Sequence, residues 1–397
     1  MSSSTIHAQD FMSVLPPECC DMVWQLLPSD ALHSCMLVSK LWYSDVVPLL
    51  YKDVVLECDN YFFQKFSQAM RNSPHLALMV RSLTFTHSDR LAKDIDYFMV
   101  KCIEPLRNLQ CLRLDGAFSG FGKRLAQMEE RGSCFPHLKE LHLGTHGQML
   151  ADVSHVWKLP ALQSLQVVIG DYTRYEFDFS SWPMAENLKS LSLSCANIDY
   201  QRVSSLLSLA PGLCRLDFVD FRDVTEQESA QDYSKLKLEQ LADLECLMLG
   251  VITYSKMHNV DVMDIMPERG HLQPITNLKR LHKLDVSVNS LLGWYPEEAP
   301  RISDVIPTSL TTLTLNDDCV GQCGYKWTEK QLITRLWDLL RATTTGNTNV
   351  QTIEFGPLGD RWTGETLDEL RQVIKQSGSQ FEEEMVEGHG QYLKIHV

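Results

Sequence analysis

No stretch of this 397-residue sequence approaches the roughly 18 consecutive apolar residues that a membrane-spanning helix needs. The opening residues Met1 to Asp10 (MSSSTIHAQD) carry neither a basic patch nor an apolar run, so no secretory signal is expected. Basic residues are scarce: 36 Lys and Arg stand against 51 Asp and Glu, a net charge of −15. Nucleic acids and anionic membranes are recognised through clustered Lys and Arg, so neither is an expected partner. A basic partner fits that balance better, although acidity also serves plain solubility. The 12 cysteines show no disulfide framework. Cys111 and Cys246 stand inside leucine-rich phrases, and Cys19, Cys20 and Cys35 inside a helical pattern. Free thiols in a reducing compartment, cytoplasm or nucleus, are the expected state.

Signatures of chemistry are missing as well. His142 and His146 (HLGTH) have the spacing of a metal pair but fall at a strand end and lack the Glu of H-E-x-x-H. Cys319 and Cys323 (CVGQCG) are not followed by a second Cys or His pair at zinc spacing. Gly116, Gly120 and Gly122 (GAFSGFG) do not open a phosphate-binding helix in the required form. There is no G-x-S-x-G elbow. Glu382, Glu383 and Glu384 read most simply as a solvated acidic run. No cofactor, metal or catalytic residue is therefore expected.

What is present is a phrase that repeats: an apolar residue, two others, a Leu, one other, an apolar residue. Clear copies are Leu109-Leu112-Leu114, Leu138-Leu141-Leu143, Leu162-Leu165-Val167, Leu188-Leu191-Leu193 and Leu213-Leu216-Phe218. The series continues as Leu244-Leu247-Leu249, Leu281-Leu284-Val286, Leu310-Leu313-Leu315 and Val350-Ile353-Phe355, after a degenerate first copy, Val80-Leu83-Phe85. Their central residues run from 83 to 353 in nine steps of 30 residues on average. The last two apolar positions alternate with polar ones, the mark of a short half-buried strand. Helical runs intervene, such as Tyr200 to Leu209, ended by Pro211-Gly212, and Thr328 to Arg341.

Such alternation predicts parallel strands on one face and helices on the other. Three buried aliphatic side chains contribute roughly 5–9 kcal/mol gross per repeat. Ordering about 30 residues costs more than that in backbone entropy alone, at about 1–2 kcal/mol each. A single repeat cannot fold alone; stacking must supply the rest. The region from Leu76 onward resembles the leucine-rich-repeat family of the irregular, long-unit kind. That family often sets Asn or Cys three residues after the last strand leucine, and here only Asn289 fits.

Residues 15 to 54 have another grammar. Pro16-Pro17-Glu18 opens a helix in which Cys19, Met22, Val23 and Leu26 hold helical spacing. Pro28-Ser29-Asp30 ends it and caps a second helix, Ala31 to Lys40, with Leu32, Cys35, Met36 and Ser39 as its stripe. On pattern alone this is a helical hairpin. The order Leu15-Pro16-x-Glu18, Leu27-Pro28-x-Asp30-x-Leu32, Val38-x-Lys40-x-Trp42 and the exit Leu49-x-Tyr51 resembles an F-box. The resemblance implies a three-helix module that docks on the Skp adaptor of a cullin-based ubiquitin ligase. Leu15, Pro16, Glu18, Leu27, Leu32, Val38 and Trp42 would form or support that surface. Cys19 and Cys20 replace the bulkier aliphatic residues usual there. A plain helical cap on the first repeat is the alternative.

The expected architecture is an α/β solenoid, a leucine-rich-repeat horseshoe with parallel strands inside and helices outside, preceded by a small all-α F-box module. The expected segments are a flexible start (1–12), the F-box module (13–54), a linking helix (55–75), and the solenoid with a C-terminal cap (76–397). Residues beside the strand leucines point to the open face and are the candidate target contacts: Arg113, Asp115, Glu140, His142, Gln166, Arg215, Asp217, Met248, Lys283 and Asp285. Two repeats lengthened at Val251 to Pro274 and Val320 to Trp327 are expected to carry loops, often on the binding side, and the segment Trp294-Tyr295-Pro296-Glu297-Glu298 is a third exposed candidate, with Trp294 and Tyr295 as aromatic anchors. Together the two resemblances imply a non-catalytic substrate adaptor of a Skp–cullin–F-box ligase, with a scaffold or a general protein-binding repeat protein as the alternative.

Overall fold

The computed structural model describes residues 15–57, 60–86, 101–115, 121–130, 135–148, 150–169, 179, 182–196, 198–223, 231–254, 268–269, 271–272, 275–317, 326–358, 362–386 and 390–397. The N-terminal segment 1–12, Gly116, Gly120, Cys319, Cys323 and much of the two long repeats lie outside the described residues. The chain divides into two compact units, residues 1–117 with 127–139, and residues 118–126 with 140–397. Helix α6 (Phe121–Glu130) has residues in both sets. Among the described residues no helix is long and apolar enough to cross a membrane.

The first unit begins with three helices, α1 (Pro17–Leu26), α2 (Ser29–Cys35) and α3 (Lys40–Lys52). The second is shorter than the sequence pattern predicts, because Ser39 serves the next helix instead. Its hydroxyl accepts the backbone N–H of Trp42 at 3.2 Å and caps α3. Trp24, Leu32 and Val46 form the buried centre of this bundle, with Cys20, Leu27, Met36, Trp42 and Leu50 packed around them. Trp24 and Trp42 meet edge to face at 5.0 Å. Then come β1 (Asp53–Glu57), α4 (Asn60–Asn72), α5 (Pro74–Ala77), β2 (Ser82–Thr86) and β3 (Cys111–Asp115). The strands are parallel, with Val54, Leu83 and Leu112 in one register row and Leu56, Phe85 and Leu114 in the next. Strand β1 extends the ladder one step before the first phrase read in the sequence.

The second unit carries the rest of the array. Its strands are β4 (Glu140–Gln148), β5 (Ser164–Ile169), β6 (Ser190–Ala196), β7 (Arg215–Asp223), β9 (Cys246–Tyr254), β11 (Lys283–Ser287), β12 (Thr312–Asn316) and β13 (Thr352–Gly356). Each of these pairs in parallel with the next. Two short segments, β8 (Gln231–Asp232) and β10 (Glu268–Arg269), pair separately. Leu141, Leu165, Leu191, Leu216, Leu247, Leu284, Leu313 and Ile353 occupy a single register row. None is more than 1% exposed. The repeating phrase is thus a leucine-rich-repeat ladder, with its central residue at the middle of the core.

Helices α7 (Leu150–Trp157), α8 (Tyr200–Leu207), α9 (Val288–Leu292), α10 (Ile302–Val305) and α11 (Glu329–Thr344) lie between strands. Helix α11 starts on a capping box in which Thr328 and Gln331 satisfy each other's backbone N–H. It ends at Gly346, whose φ of 78° lets Asn347 N–H reach back 2.8 Å to the Ala342 carbonyl.

In five of the repeats the residue just before the phrase ties one turn to the previous repeat. Asn108, Asn187 and Asn349 each donate a side-chain N–H to a carbonyl one repeat back, Leu78, Pro160 and Thr308, at 2.8, 2.8 and 2.7 Å. Ser309 does the same to Leu281 at 2.7 Å, and Arg280 reaches Asp243 and Glu245 at 3.0 and 2.9 Å. This cross-tie sits on the opposite side of the strand from the family's Asn position, which here is the buried Asn289.

After helix α12 (Gly364–Gln376), the hairpin β14 (Gln380–Val386) and β15 (Gly390–His396) closes the ladder antiparallel, with β15 against β13 and β14 outermost. The acidic run is exposed to solvent, as the sequence suggests, and two of its carboxylates are paired at the surface. Glu383 is bound by Arg371 at 2.5 Å, and Glu382 meets His396 at 3.3 Å and Lys394 at 3.6 Å. The hydrogen bond from His396 is the chief reason the Glu382 carboxyl titrates below its usual range. Charge on an outer strand also discourages pairing with another chain.

Replacing Leu191 by Ala should lower the unfolding free energy by about 2–5 kcal/mol through cavity formation. Replacing Asn187 by Ala should lower it by about 1 kcal/mol through loss of one cross-tie. Urea denaturation followed by tryptophan fluorescence measures both.

Candidate functional site

Two surfaces concern function, one on each unit. On the first unit, helix α1 is apolar on two sides. Cys20, Trp24 and Leu27 face the bundle centre. Cys19, Met22, Val23 and Leu26, the stripe with the best helical spacing, face solvent, and Leu26 is 82% exposed. The turn and start of α3 add Leu37 at 88%, Val38 at 61% and Leu41 at 54%. Of the residues expected to dock, Leu15, Pro16, Glu18 and Val38 are exposed. Leu27, Leu32 and Trp42 instead hold the bundle together from within. Met22, Val23, Leu26, Leu37, Leu41 and Tyr43 complete the exposed surface. The spacing of Met22, Val23 and Leu26 marks them as one stripe but cannot say which way the helix turns it.

Arg113 and Asp115 are exposed on β3 beside the buried Leu112 and Leu114, as the alternation predicts. On the second unit, the open-face side chains fall into register rows. One row reads His142, Gln166, Ser192, Asp217, Met248, Asp285, Thr314, Glu354 and Lys394. A parallel row holds Glu140, Ser164, Ser190, Arg215, Cys246, Lys283, Thr312 and Thr352. The eight predicted positions on this unit, Glu140, His142, Gln166, Arg215, Asp217, Met248, Lys283 and Asp285, therefore share one face. The serines of β5 and β6 make a neutral, short-chained floor, and the charges gather from β7 onward.

Those charges are wired together. Arg215 Nε donates to Asp217 Oδ2 at 2.9 Å, which holds the guanidinium above its ordinary value. Thr314 Oγ1 donates to Glu354 Oε2 at 2.9 Å, and Asn316 Nδ2 donates to Asp285 Oδ1 at 2.6 Å. Tyr392 Oη donates in turn to Asn316 Oδ1 at 3.2 Å. The Tyr392 ring lies over Gly356, where a Cβ would stand 2.8 Å from the ring, so only glycine fits there. Burial pushes the Asp285 carboxyl up, and Glu354 and Asp217 push it further, against the pull of Asn316 and Lys283. Burial likewise raises the Cys246 thiol despite Arg215 and Lys283, which keeps it a poor nucleophile.

Trp294 is a correction. The segment was expected to project aromatic anchors, but Trp294 is 3% exposed and belongs to the core, while Tyr295 is 38% exposed. Helix α11 holds the segment down. Arg335 Nη2 donates to the carbonyls of Pro296 and Ala299 at 3.1 Å each, and Trp327 Nε1 donates to the Gly293 carbonyl at 2.8 Å. Glu354, Asn316 and Tyr392 join the face without having been anticipated. Glu354 follows from the same alternation, whereas Tyr392 reaches the face only because the terminal hairpin doubles back. Among the described residues no three His, Cys, Asp or Glu side chains gather as a metal site requires.

No protein-family model matches this sequence, and no curated protein does. Among solved structures, the chain is similar to an internalin C2 from Listeria monocytogenes at 16% identity, over 58% of this chain and 84% of that one, with a TM-score of 0.32. It is similar to a structure of the Rad7 and Elc1 complex in yeast at 14% identity, over 76% and 88%, with a TM-score of 0.33. The leucine-rich repeat domain of APL1B gives 12% identity, 70% and 87% coverage, and a TM-score of 0.31. These scores are low, and the leucine-rich-repeat description rests on this chain's own ladder and spacing.

The raised Asp285 carboxyl makes a pH prediction. A carboxyl whose folded value lies above its unfolded value binds protons on folding, so its ionised form weakens the fold at neutral pH and the deficit fades on acidification. Asp285→Asn should therefore match or exceed the wild-type melting temperature at about pH 7. That advantage should shrink toward about pH 4 in thermal melts across the range.

Proposed function

We propose that this chain is the substrate-recognition subunit of a Skp–cullin–F-box ubiquitin ligase, and that it has no catalytic role of its own. In this reading the N-terminal helices dock on the Skp adaptor, and through it on a cullin. The open faces of the repeats hold a protein target. The mechanism is proximity: a target lysine is kept near a conjugating enzyme carried by other subunits.

The observation that carries the reading is the double-faced bundle at residues 15–52. Its centre is already closed around Trp24, Leu32 and Val46. Met22, Leu26, Leu37, Val38 and Leu41 are nonetheless all more than half exposed. Large apolar side chains left exposed in such number on so small a bundle mark an interaction site. A cap needed only to cover the first repeat has no reason to carry a second apolar face. Burying an exposed side chain of this size contributes about 1.5–3 kcal/mol. Several together can offset an association cost of roughly 4–15 kcal/mol. The F-box resemblance supplies the identity of the partner. The mixed-charge, hydroxyl-rich face supports a protein target over an apolar small molecule.

Affinity purification of the wild type beside a Leu26→Asp/Leu37→Asp double variant tests the reading. Both residues are exposed, so the variant should melt like the wild type while adaptor and cullin vanish from its eluate and a repeat-bound protein remains. Retention of the adaptor by a folded double variant would count against the assignment.

A further inference from the structure

Beside α8, on the second unit, runs an open groove of about 410 Å³ that neither surface described above includes. Gln201, Ser204, Ser205 and Ser208 form one wall; their spacing puts them on one face of α8 and its cap. Ser234, Lys235, Lys237 and Gln240 form the other wall. Neither a carboxylate nor an apolar residue lines the groove. Ser204 bolts the two walls together, its hydroxyl donating to the Lys235 carbonyl at 2.7 Å and accepting the Lys237 backbone N–H at 2.8 Å. Gln240 Nε2 adds a bond to the Ser204 carbonyl at 2.8 Å. The groove is therefore preformed by the chain's own hydrogen bonds.

Lys235 and Lys237 are exposed while Leu236 between them is buried, so the two ammonium groups leave the same side of the chain. Among the described residues neither ammonium has a hydrogen-bond or ion-pair partner. Arg215, Arg280, Arg371 and Lys394, by contrast, each meet a carboxylate. The Ser205 and Ser208 hydroxyls have given their protons to the Gln201 and Ser205 carbonyls, at 3.0 and 2.7 Å, and keep lone pairs to offer. The complementary ligand thus carries negative charge for the lysines and N–H donors for the serines. A simple anion has only the first, whereas an acidic polypeptide has both. The wall from Gln201 to Ser208 is about 10 Å long at the helical rise, the length of roughly three extended residues.

We propose that this groove binds an extended acidic segment of a protein partner, with carboxylates on alternate residues. One carboxylate meets Lys235 Nζ and the next but one meets Lys237 Nζ, because alternate side chains of an extended segment share a side. Backbone N–H groups of the segment donate to the Ser205 and Ser208 hydroxyls. The net charge of −15 favours basic partners for the chain as a whole, and this groove is a local exception to it. The array then has a second contact point, beside a helix and not on the open strand face. This inference does not depend on the ligase reading.

The test titrates the full chain into a fluorescein-labelled peptide of sequence Ala-Glu-Ala-Glu-Ala and reads anisotropy. The peptide should bind and saturate, and its Ala-Gln-Ala-Gln-Ala counterpart should bind roughly fivefold more weakly, as expected for two exposed ion pairs. Ala-Glu-Glu-Ala-Ala, which turns its carboxylates to opposite sides, should bind roughly twofold more weakly. Lys235→Glu/Lys237→Glu changes two exposed residues, so it should melt normally and lose the response. Lys330→Glu/Lys375→Glu alters the net charge equally on other exposed helix positions and should bind like the wild type. Failure of the acidic peptide to bind, or equal binding of the glutamine peptide, would overturn the proposal. So would equal weakening by both double variants, which would mean that overall charge alone is felt, or displacement by an equal concentration of inorganic phosphate, which would mean a simple anion site.

Discussion

On β6, Leu191 and Leu193 have partners in register on both sides, Leu165 and Val167 before them and Leu216 and Phe218 after them. Neither the apolar side chains nor the backbone N–H and C=O groups of that strand are satisfied within their own repeat. This dependence of each strand on its neighbours governs the second unit. It explains why the phrase tolerates irregular spacing, since long and short repeats still deliver one strand into the same register. It also explains why variable residues can sit beside the leucines at little cost: they face outward from a core that is complete without them.

Such a ladder must solve the problem of its outer edge. Here the terminal hairpin reverses direction, laying Leu393 and Ile395 against Phe355 and Ile353. The outermost strand then presents carboxylates, two of them engaged by Arg371, Lys394 and His396. The same reversal brings Tyr392 over Gly356 and into the Asn316–Asp285 network. Closure of the edge and construction of a polar corner on the open face are thus one event. That corner is where the open face is most ordered by its own hydrogen bonds, and where a carboxyl is held in its costlier state.

The helical bundle follows different rules. It is small, and a helix of ten residues such as α1 is marginal without tertiary packing. Trp24, Leu32 and Val46 supply that packing, with the edge-on Trp42 closing one side. Once those four are spent on the interior, the other apolar residues of α1 and of the turn before α3 have nothing within the bundle to cover. Their exposure is a consequence of a sequence with more apolar helical positions than one small core can absorb.

The ladder was legible in the sequence because a period-2 alternation embedded in a repeat of about 30 residues has few other physical solutions. Leu83 through Ile353 all proved to be central core residues. Strand β1 was hidden because Val54 and Leu56 lack the preceding leucine of the phrase. The direction in which a helix turns its stripe was not legible. Met22, Val23 and Leu26 have correct spacing for burial, yet Trp24, Cys20 and Leu27 took the interior, since the larger ring makes the larger contact with α3. Trp294 was misjudged for a related reason: Pro296 and two acids suggest a loop, but Arg335 and Trp327, distant in sequence, pull it inward. Local periodicity fixes which residues share a face, because that depends only on the backbone repeat of a strand or helix. Which face meets protein and which meets solvent depends on competition among side chains far apart in the chain, and only the folded arrangement decides it.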